Sequence, residues 1–271
     1  MMLPEKRRKI RPRPWNPLAR DEAALAQSSC HGVVDSRLMR LFPDYDYAPA
    51  DAETVHEEMR RTILGQGYPC VGSRSVFNQE TYRLGLYDEL GSGADVRGVC
   101  HDIYEFSWRF RHHKSRFFSM IACFRGPEIR SELHFEELLW KQLAHIHELD
   151  RELFTWDGSV SSDPASEHFS FSIGGKGFFV VGLHPRASRP ARVFGLPILI
   201  FNLHEQFERL RERGKYDTMR NRIRERDLAF SGSINPVVAD HGASSEARQY
   251  SGRAVPANWR CPLHPGKDDE H

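Results

Sequence analysis

The stretch from Phe169 to Leu183 constrains the fold more than any other. Phe169-Ser170-Phe171-Ser172-Ile173 alternates with period two, Gly174-Gly175-Lys176-Gly177 follows, and Phe178 to Leu183 is a second strand-like run. Two such runs about a glycine-rich turn predict a β-hairpin, so the chain must contain antiparallel sheet. The same context excludes a phosphate loop at Gly174–Gly177, because that loop opens a helix. Phe117–Phe124 and Leu196–Asn202 read as two further strands. Helices are predicted over Asp51–Leu64, stopped by Gly65 and Gly67, and over Glu80–Leu90 and Val96–Phe106. In Ser131–Leu149, Phe135, Leu139, Leu143, Ile146 and Leu149 recur at helical spacing. His204–Arg213, closed by Gly214, and Tyr216–Phe230 complete the set. Tyr68–Gly72 reads as a turn, and Asp157–Ala165 and the chain from Ser231 onward as loop. Without a β-α-β-α alternation the expected class is α+β, a small antiparallel sheet with several packed helices. It is expected to form a single domain over 51–271. Residues 1–50, basic and proline-rich, read as an irregular arm, with seven basic residues and no acid between Lys6 and Arg20.

Composition removes several function classes. The 271 residues include 17 Phe, 8 Tyr and 5 Trp, enough for a sizeable aromatic core. Basic and acidic residues balance at 38 and 37, whereas a polyanion binder carries a basic surplus, so no nucleic-acid partner is expected. A membrane span needs about 20 apolar residues. The longest apolar run, Leu196–Phe201, is interrupted by Pro197, so no membrane association is expected. The five cysteines are odd in number, widely spaced and without a CxxC pair, and no apolar segment follows the basic N-terminus. Both features point to a reducing, cytoplasmic location.

Several constellations carry potential chemistry. His204-Glu205-Gln206-Phe207-Glu208 is half of a zinc protease motif, with Glu208 where a second His would stand. A haem-free metallohydrolase built on His204, Glu205 and Glu208 is therefore one alternative. His145 and His147 lie about 200° apart on a helix and cannot chelate one ion. Adjacent His112 and His113 point to different faces. Ser233, Ser244 and Ser245 near His241 lack the nucleophile elbow of a serine hydrolase. In Gly182–Arg192, Pro185 holds His184 extended at a strand end, with Arg186, Ser188, Arg189 and Arg192 following. This arrangement suits a general base beside an anionic substrate, or a proximal haem ligand with arginines on the propionates. A surface turn with its arginines in salt bridges is the plain alternative. Cys70, in Tyr68-Pro69-Cys70, and Cys261, in Trp259-Arg260-Cys261-Pro262, offer a thiolate ligand or buried structural thiols. The segment containing Asn235, Glu246, Arg248, Gln249, Tyr250 and Arg253 gathers polar side chains on irregular backbone. There Glu246 can pair a guanidinium in bidentate fashion, or can pair Arg248 or Arg253 within the fold.

Taken in order, these blocks resemble the YqcI/YcgG family over roughly residues 65–262. Tyr68-Pro69-Cys70-Val71 is similar to its FPC motif and Trp259-Arg260-Cys261-Pro262 to its CPF motif. The intervening matches are Phe169–Gly175, Gly182–Arg189, Phe201–Glu208, Ile234–Pro236 and Ser245–Arg253. Tyr68 and Leu263 stand where the family has Phe, and packing changes are expected there. The resemblance implies a haem-dependent monooxygenase that N-hydroxylates guanidino groups in natural-product biosynthesis, as in the routes to guanitoxin and D-cycloserine. The chain resembles the type that converts free L-arginine to Nω-hydroxy-L-arginine. Under that implication a haem pocket lies between sheet and helices. His184 is the first candidate for the iron, His204 the second, and Cys70 and Cys261 follow, a thiolate being chemically attractive for oxygenation. Arg189 and Arg192 with Ser188 would hold the haem. Glu246 or Glu205 would clamp the guanidinium, and Arg248 or Arg253 would meet the substrate carboxylate, with Asn235 beside them. No NAD or flavin fingerprint appears, so electrons for O2 would come from an external reductase, or peroxide would replace both. An oligomer is compatible with this reading. A haem-binding redox sensor without turnover is the other alternative.

Overall fold

Gly174 and Gly175 both adopt positive φ, 61° and 66°, in the two-residue turn between β6 (Phe171–Ile173) and β7 (Lys176–Leu183). This is the geometry that matches strand twist and that only glycine adopts without strain. The hairpin ends one edge of an eight-stranded, mostly antiparallel sheet in the computed structural model, which describes residues 15–35, 37–42, 44–110, 117–233 and 245–264. The remaining strands are β1 (His31–Val34), β2 (Arg37–Arg40), β3 (Asp46–Tyr47), β4 (Tyr82–Glu89), β5 (Ser119–Gly126) and β8 (Ile198–Leu203). The order across the sheet is β3-β2-β1-β4-β5-β8-β7-β6, and only β4 and β5 pair in parallel.

Period-two alternation divides the core. On β5, Met120, Ala122 and Phe124 face one apolar cluster, while Ile121 and Cys123 face the other. The first cluster packs under α4 (Val96–Phe110) and α5 (Glu132–Asp150), the second under α2 (Ala50–Leu64) and α3 (Val71–Asn78). Helices α6 (His204–Glu212) and α7 (Tyr216–Ser231) follow β8. The fold is mixed α+β, as the sequence predicts, with helices on both faces.

Three expectations change. Glu80–Leu90 is not a helix but contains β4, whose residues Tyr82 to Tyr87 are all buried. A strand covered on both faces loses its alternation, and periodicity then cannot separate it from a short buried helix. Tyr68–Gly72 is not only a turn, because Val71 begins α3, capped by the Cys70 sulfur accepting the Ser73 N–H at 3.4 Å. The irregular arm gives way to α1 (Glu22–Gln27) and strands β1 to β3, so the sheet is larger than expected. Burial of Leu18, Ala24, Cys30, His31 and Leu38 overrides the weak local pattern. Lys6–Arg13 lie outside the described residues.

Gly182 sits where β7 meets α5. A Cβ there would fall 2.5 Å from Phe135 Cε1 and 2.9 Å from the Tyr250 carbonyl oxygen. Gly182→Ala is expected to destabilise the protein by about 1–3 kcal/mol, as overpacking does, read as a lowered urea midpoint. An unchanged midpoint would show that the contact yields freely.

Candidate functional site

A cavity of about 300 Å³ opens on the α2/α3/α7 side of the sheet, within the range that cofactor and small-molecule sites span. Its floor is made of cross-strand rows, Ser119-Asn202-Phe179 and Ile121-Ile200-Val181. Val76 and Phe77 of α3, Phe207 of α6, and Met219 and Ile223 of α7 close it from above. The lining is mainly apolar, with a thiol, the carboxylates of Asp227 and Glu246, and several arginines placed in it.

The thiol is Cys70. The backbone that presents it is held from two sides. The Tyr68 hydroxyl donates to the Ala191 carbonyl at 3.2 Å, and Arg226 of α7 donates to the Tyr68 carbonyl at 2.9 and 3.2 Å. Cys70 is the N-cap of α3, and its sulfur accepts a backbone N–H at the N-terminal end of that helix. Tyr68 keeps the apolar packing of a Phe at this point and adds a hydroxyl anchor.

The arginines differ in what already holds them. Arg189 pairs with Asp227 of α7 at 2.5 Å, and Arg211 pairs with Glu208 and lies over the Tyr216 ring. Among the described residues, Arg192 donates to neutral carbonyls, those of Gly182 at 3.0 Å and of Tyr250 and Gln249 at 3.3 Å. Desolvation pushes its pKa down. Asp227 acts on it through space, but no carboxylate among the described residues pairs with it directly, so the guanidinium can take a further anion.

The carboxylate other than Asp227 is Glu246, in a short 3-10 turn capped by the Ser245 hydroxyl. It accepts from Ser170 Oγ at 2.7 Å. Burial pushes its pKa up to about 7, with the Ser170 bond opposing. Ser170 Oγ also lies 2.9 Å from His204 Nδ1, and His204 Nε2 lies 3.0 Å from Glu208 Oε1. Burial lowers the His204 pKa. A carboxyl whose folded pKa is raised is stabilising below its unfolded value and loses that contribution as pH rises through the folded one. The Glu246 contribution is therefore expected to be lost between pH 4.5 and about 7, and Glu246→Gln to remove that component, while His184 and His56, lowered by burial to about 4, act in the opposite direction over the same window in both proteins. Urea midpoints taken at the two ends of the window check this, and parallel curves for the two proteins would refute it.

Other sequence candidates lie elsewhere. His184 is buried on the opposite side of β7, its ring stacked on Phe135 at 4.2 Å and its Nδ1 accepting the Arg186 N–H at 3.3 Å. Burial lowers its pKa to about 4. Its ring is turned toward α5 and is not among the residues lining the cavity. Ser188 bonds Glu132 on an exposed turn, and Glu205 pairs along α6 with Arg209 at 2.8 Å. Arg248 donates to the Pro256 carbonyl and lies over Trp259, and Arg253 forms a two-bond pair with Glu136 at 2.6 and 3.0 Å. Cys261 packs with Trp259 against the first core cluster, and burial pushes its thiol up to about 12. Asn235 lies outside the described residues. Among the candidates, the cavity brings together Cys70, Arg189, Arg192 and Glu246. Ser170 and Arg211 were missed. A serine within the alternating run Phe169–Ile173 was the available signal for the first.

Residues 59–264 match the YqcI/YcgG family. The chain belongs to that family. No curated protein and no solved structure matches it. The YqcI/YcgG match spans everything that builds the cavity, from α2 through Glu246 to the segment carrying Leu263. Leu263 is buried in the first core cluster, an apolar position as expected. Among the described residues no three His, Cys, Asp or Glu side chains gather as a metal site. Glu205, turned to Arg209, stands apart from His204 and Glu208, so the zinc motif is not assembled as a cluster. No described helix is long and apolar enough to cross a membrane.

Proposed function

We propose that this YqcI/YcgG protein is a haem-dependent monooxygenase that N-hydroxylates a guanidino group, with free L-arginine as its first candidate substrate. The observation that carries the reading is Cys70, a thiol capping a helix in the wall of an apolar cavity that also holds Arg192 and Glu246. An apolar slot with one soft ligand and cationic edges fits an iron porphyrin bearing carboxylates. The bound haem would supply O2 activation, so that a guanidine N–H, O2, two electrons and two protons give N–OH and water.

The protein's own groups have separable tasks. Cys70 would hold the iron, in preference to His184, which packs against Phe135. Arg192, with Arg189 beside it, meets anionic groups, whether haem propionates or a substrate carboxylate. Ionised Glu246 accepts N–H groups of a guanidinium, and the incoming cation favours that ionised form. The apolar floor around Ile121 and Ile200 excludes water. Electrons come from an external reductase, or peroxide replaces O2 and electrons. Five unpaired cysteines suit a cytoplasmic setting.

The test is an ultraviolet-visible titration of the haem-reconstituted protein with L-arginine, followed by a product assay. A Soret band that shifts saturably, with Nω-hydroxy-L-arginine formed, is expected. A Soret band without turnover on any guanidine would move the reading to a haem sensor. No Soret band after reconstitution would reject haem altogether.

A further inference from the structure

One chain of hydrogen bonds joins the cavity wall to the protein surface. Its inner end is Glu246, 8% exposed and in the cavity lining, and its middle is Ser170, fully buried at 0%. Ser170 Oγ donates to Glu246 Oε2 at 2.7 Å and stands 2.9 Å from His204 Nδ1. His204 Nε2 then stands 3.0 Å from Glu208 Oε1, whose side chain is 43% exposed. Three different elements contribute, and each adjacent contact lies within hydrogen-bond distance. A purely structural network need not run from solvent to a cavity through groups that each both accept and release a proton.

We propose that Glu208, His204, Ser170 and Glu246 form a proton relay between solvent and the cavity. As a delivery route for oxygenation it rests on the function proposed above. Each transfer conserves protons and moves no electrons. A proton from Glu208 or surface water enters at His204 Nε2, the Nδ1 proton passes to Ser170 Oγ, and the Ser170 hydroxyl proton passes to Glu246 Oε2. Glu246 carries that proton in transit and, on releasing it into the mainly apolar cavity for a reaction that consumes two protons, returns to the ionised form that accepts a guanidinium. The raised pKa of Glu246 and the lowered pKa of His204 bring the two groups toward one another, which suits reversible exchange. The charged groups acting on this pair are Glu208 and Arg211 of α6 and Asp157 of the loop before β6, and Tyr250 lies close to Glu246. Ser170 and His204 are positioning and shuttling residues in this scheme, without contact to the reacting atoms.

Nuclear magnetic resonance on the haem-free protein tests the relay apart from the oxygenase reading. With the imidazole nitrogens and glutamate carboxyls labelled, His204 and Glu246 are expected to titrate in coupled steps. His204 Nδ1 also lies 3.8 Å from Glu246 Oε1, so Ser170→Ala should weaken the coupling without abolishing it, and identical curves in the two proteins would overturn the relay whatever the haem chemistry proves to be. On the reconstituted enzyme, Ser170→Ala and His204→Gln should lower turnover by about 100-fold while keeping the arginine-induced Soret shift. Full turnover in both variants, with the coupling confirmed, would overturn proton delivery even if the oxygenase reading stands. Should Ser170→Ala fail to fold, Glu246→Gln serves instead, and a His204 curve unmoved by it would likewise overturn the relay.

Discussion

Cys70→Ser is expected to keep the fold and the cavity yet remove the sulfur signature of bound haem. Serine is a strong helix N-cap, so the Ser73 N–H keeps its acceptor and α3 its first turn. The second core cluster behind it, including Val76 and Phe77, is untouched. A thiolate ligand places electron density on iron that a hydroxyl does not. The ferrous–CO Soret maximum should therefore leave the thiolate position, and haem affinity should fall by at least an order of magnitude. Hydroxylation should become undetectable. Cys261→Ser, altering a thiol that packs against the other core, should leave the spectrum as it was. A thiolate-type spectrum retained in Cys70→Ser would move the ligand elsewhere and detach the proposed function from its main support.

The second large effect concerns stability. Asp102 of α4 is fully buried and accepts from Ser28 Oγ at 2.6 Å, the Ser29 N–H at 2.9 Å and the Tyr87 hydroxyl at 2.8 Å. His101 Nδ1 lies 2.8 Å from the same carboxylate. This one side chain ties the segment ahead of β1 to α4 and to the core strand β4. Asp102→Ala strands several buried donors at once, and each such loss costs about 1–3 kcal/mol. Because the losses share one site they do not simply add, and a destabilisation of about 3–5 kcal/mol is expected. Urea unfolding measures it. Limited proteolysis should also show earlier cleavage in residues 15–30, whose attachment depends on this carboxylate. A loss below 1 kcal/mol would mean that water takes over the acceptor role.

Much of the local structure was legible because it rests on local rules. The hairpin at Gly174-Gly175 follows from alternation and two adjacent glycines, and both supply the positive φ the turn requires. Helix α5 follows from its apolar spacing and from Ser131, whose hydroxyl accepts the His134 N–H as a cap. Helices α2, α4, α6 and α7 were found with ends displaced by a few residues. Strand β4 was not found, because burial on both faces erased the pattern that distinguishes a strand. Helix α3 was hidden by the apparent turn at Tyr68-Pro69-Cys70, whose sulfur proved to be the cap. The N-terminal strands were unreadable because their burial depends on partners far along the chain, such as the pairing of His31 with Leu84.

The candidate site divides in the same way. Motif order placed Cys70, Glu246 and the Arg189–Arg192 turn among the residues of interest, and residue type by itself defined what each could do. Sequence also bounded the class, with a balanced charge, no long apolar run and a mixed α+β pattern. What it could not decide was which candidates share a chamber. His184 and Arg192 are eight positions apart, yet β7 sends the first toward Phe135, and the turn after it folds the second back into the cavity wall. Alternation along a strand assigns neighbouring side chains to opposite faces, but only the packed helices decide which face is filled and which is left open. Glu136 captures Arg253, and the Pro256 carbonyl and Trp259 ring capture Arg248, through contacts far apart in sequence. Local preference is set within a few residues of chain, whereas a cavity exists only where distant surfaces fail to meet, and that is a property of the tertiary structure alone.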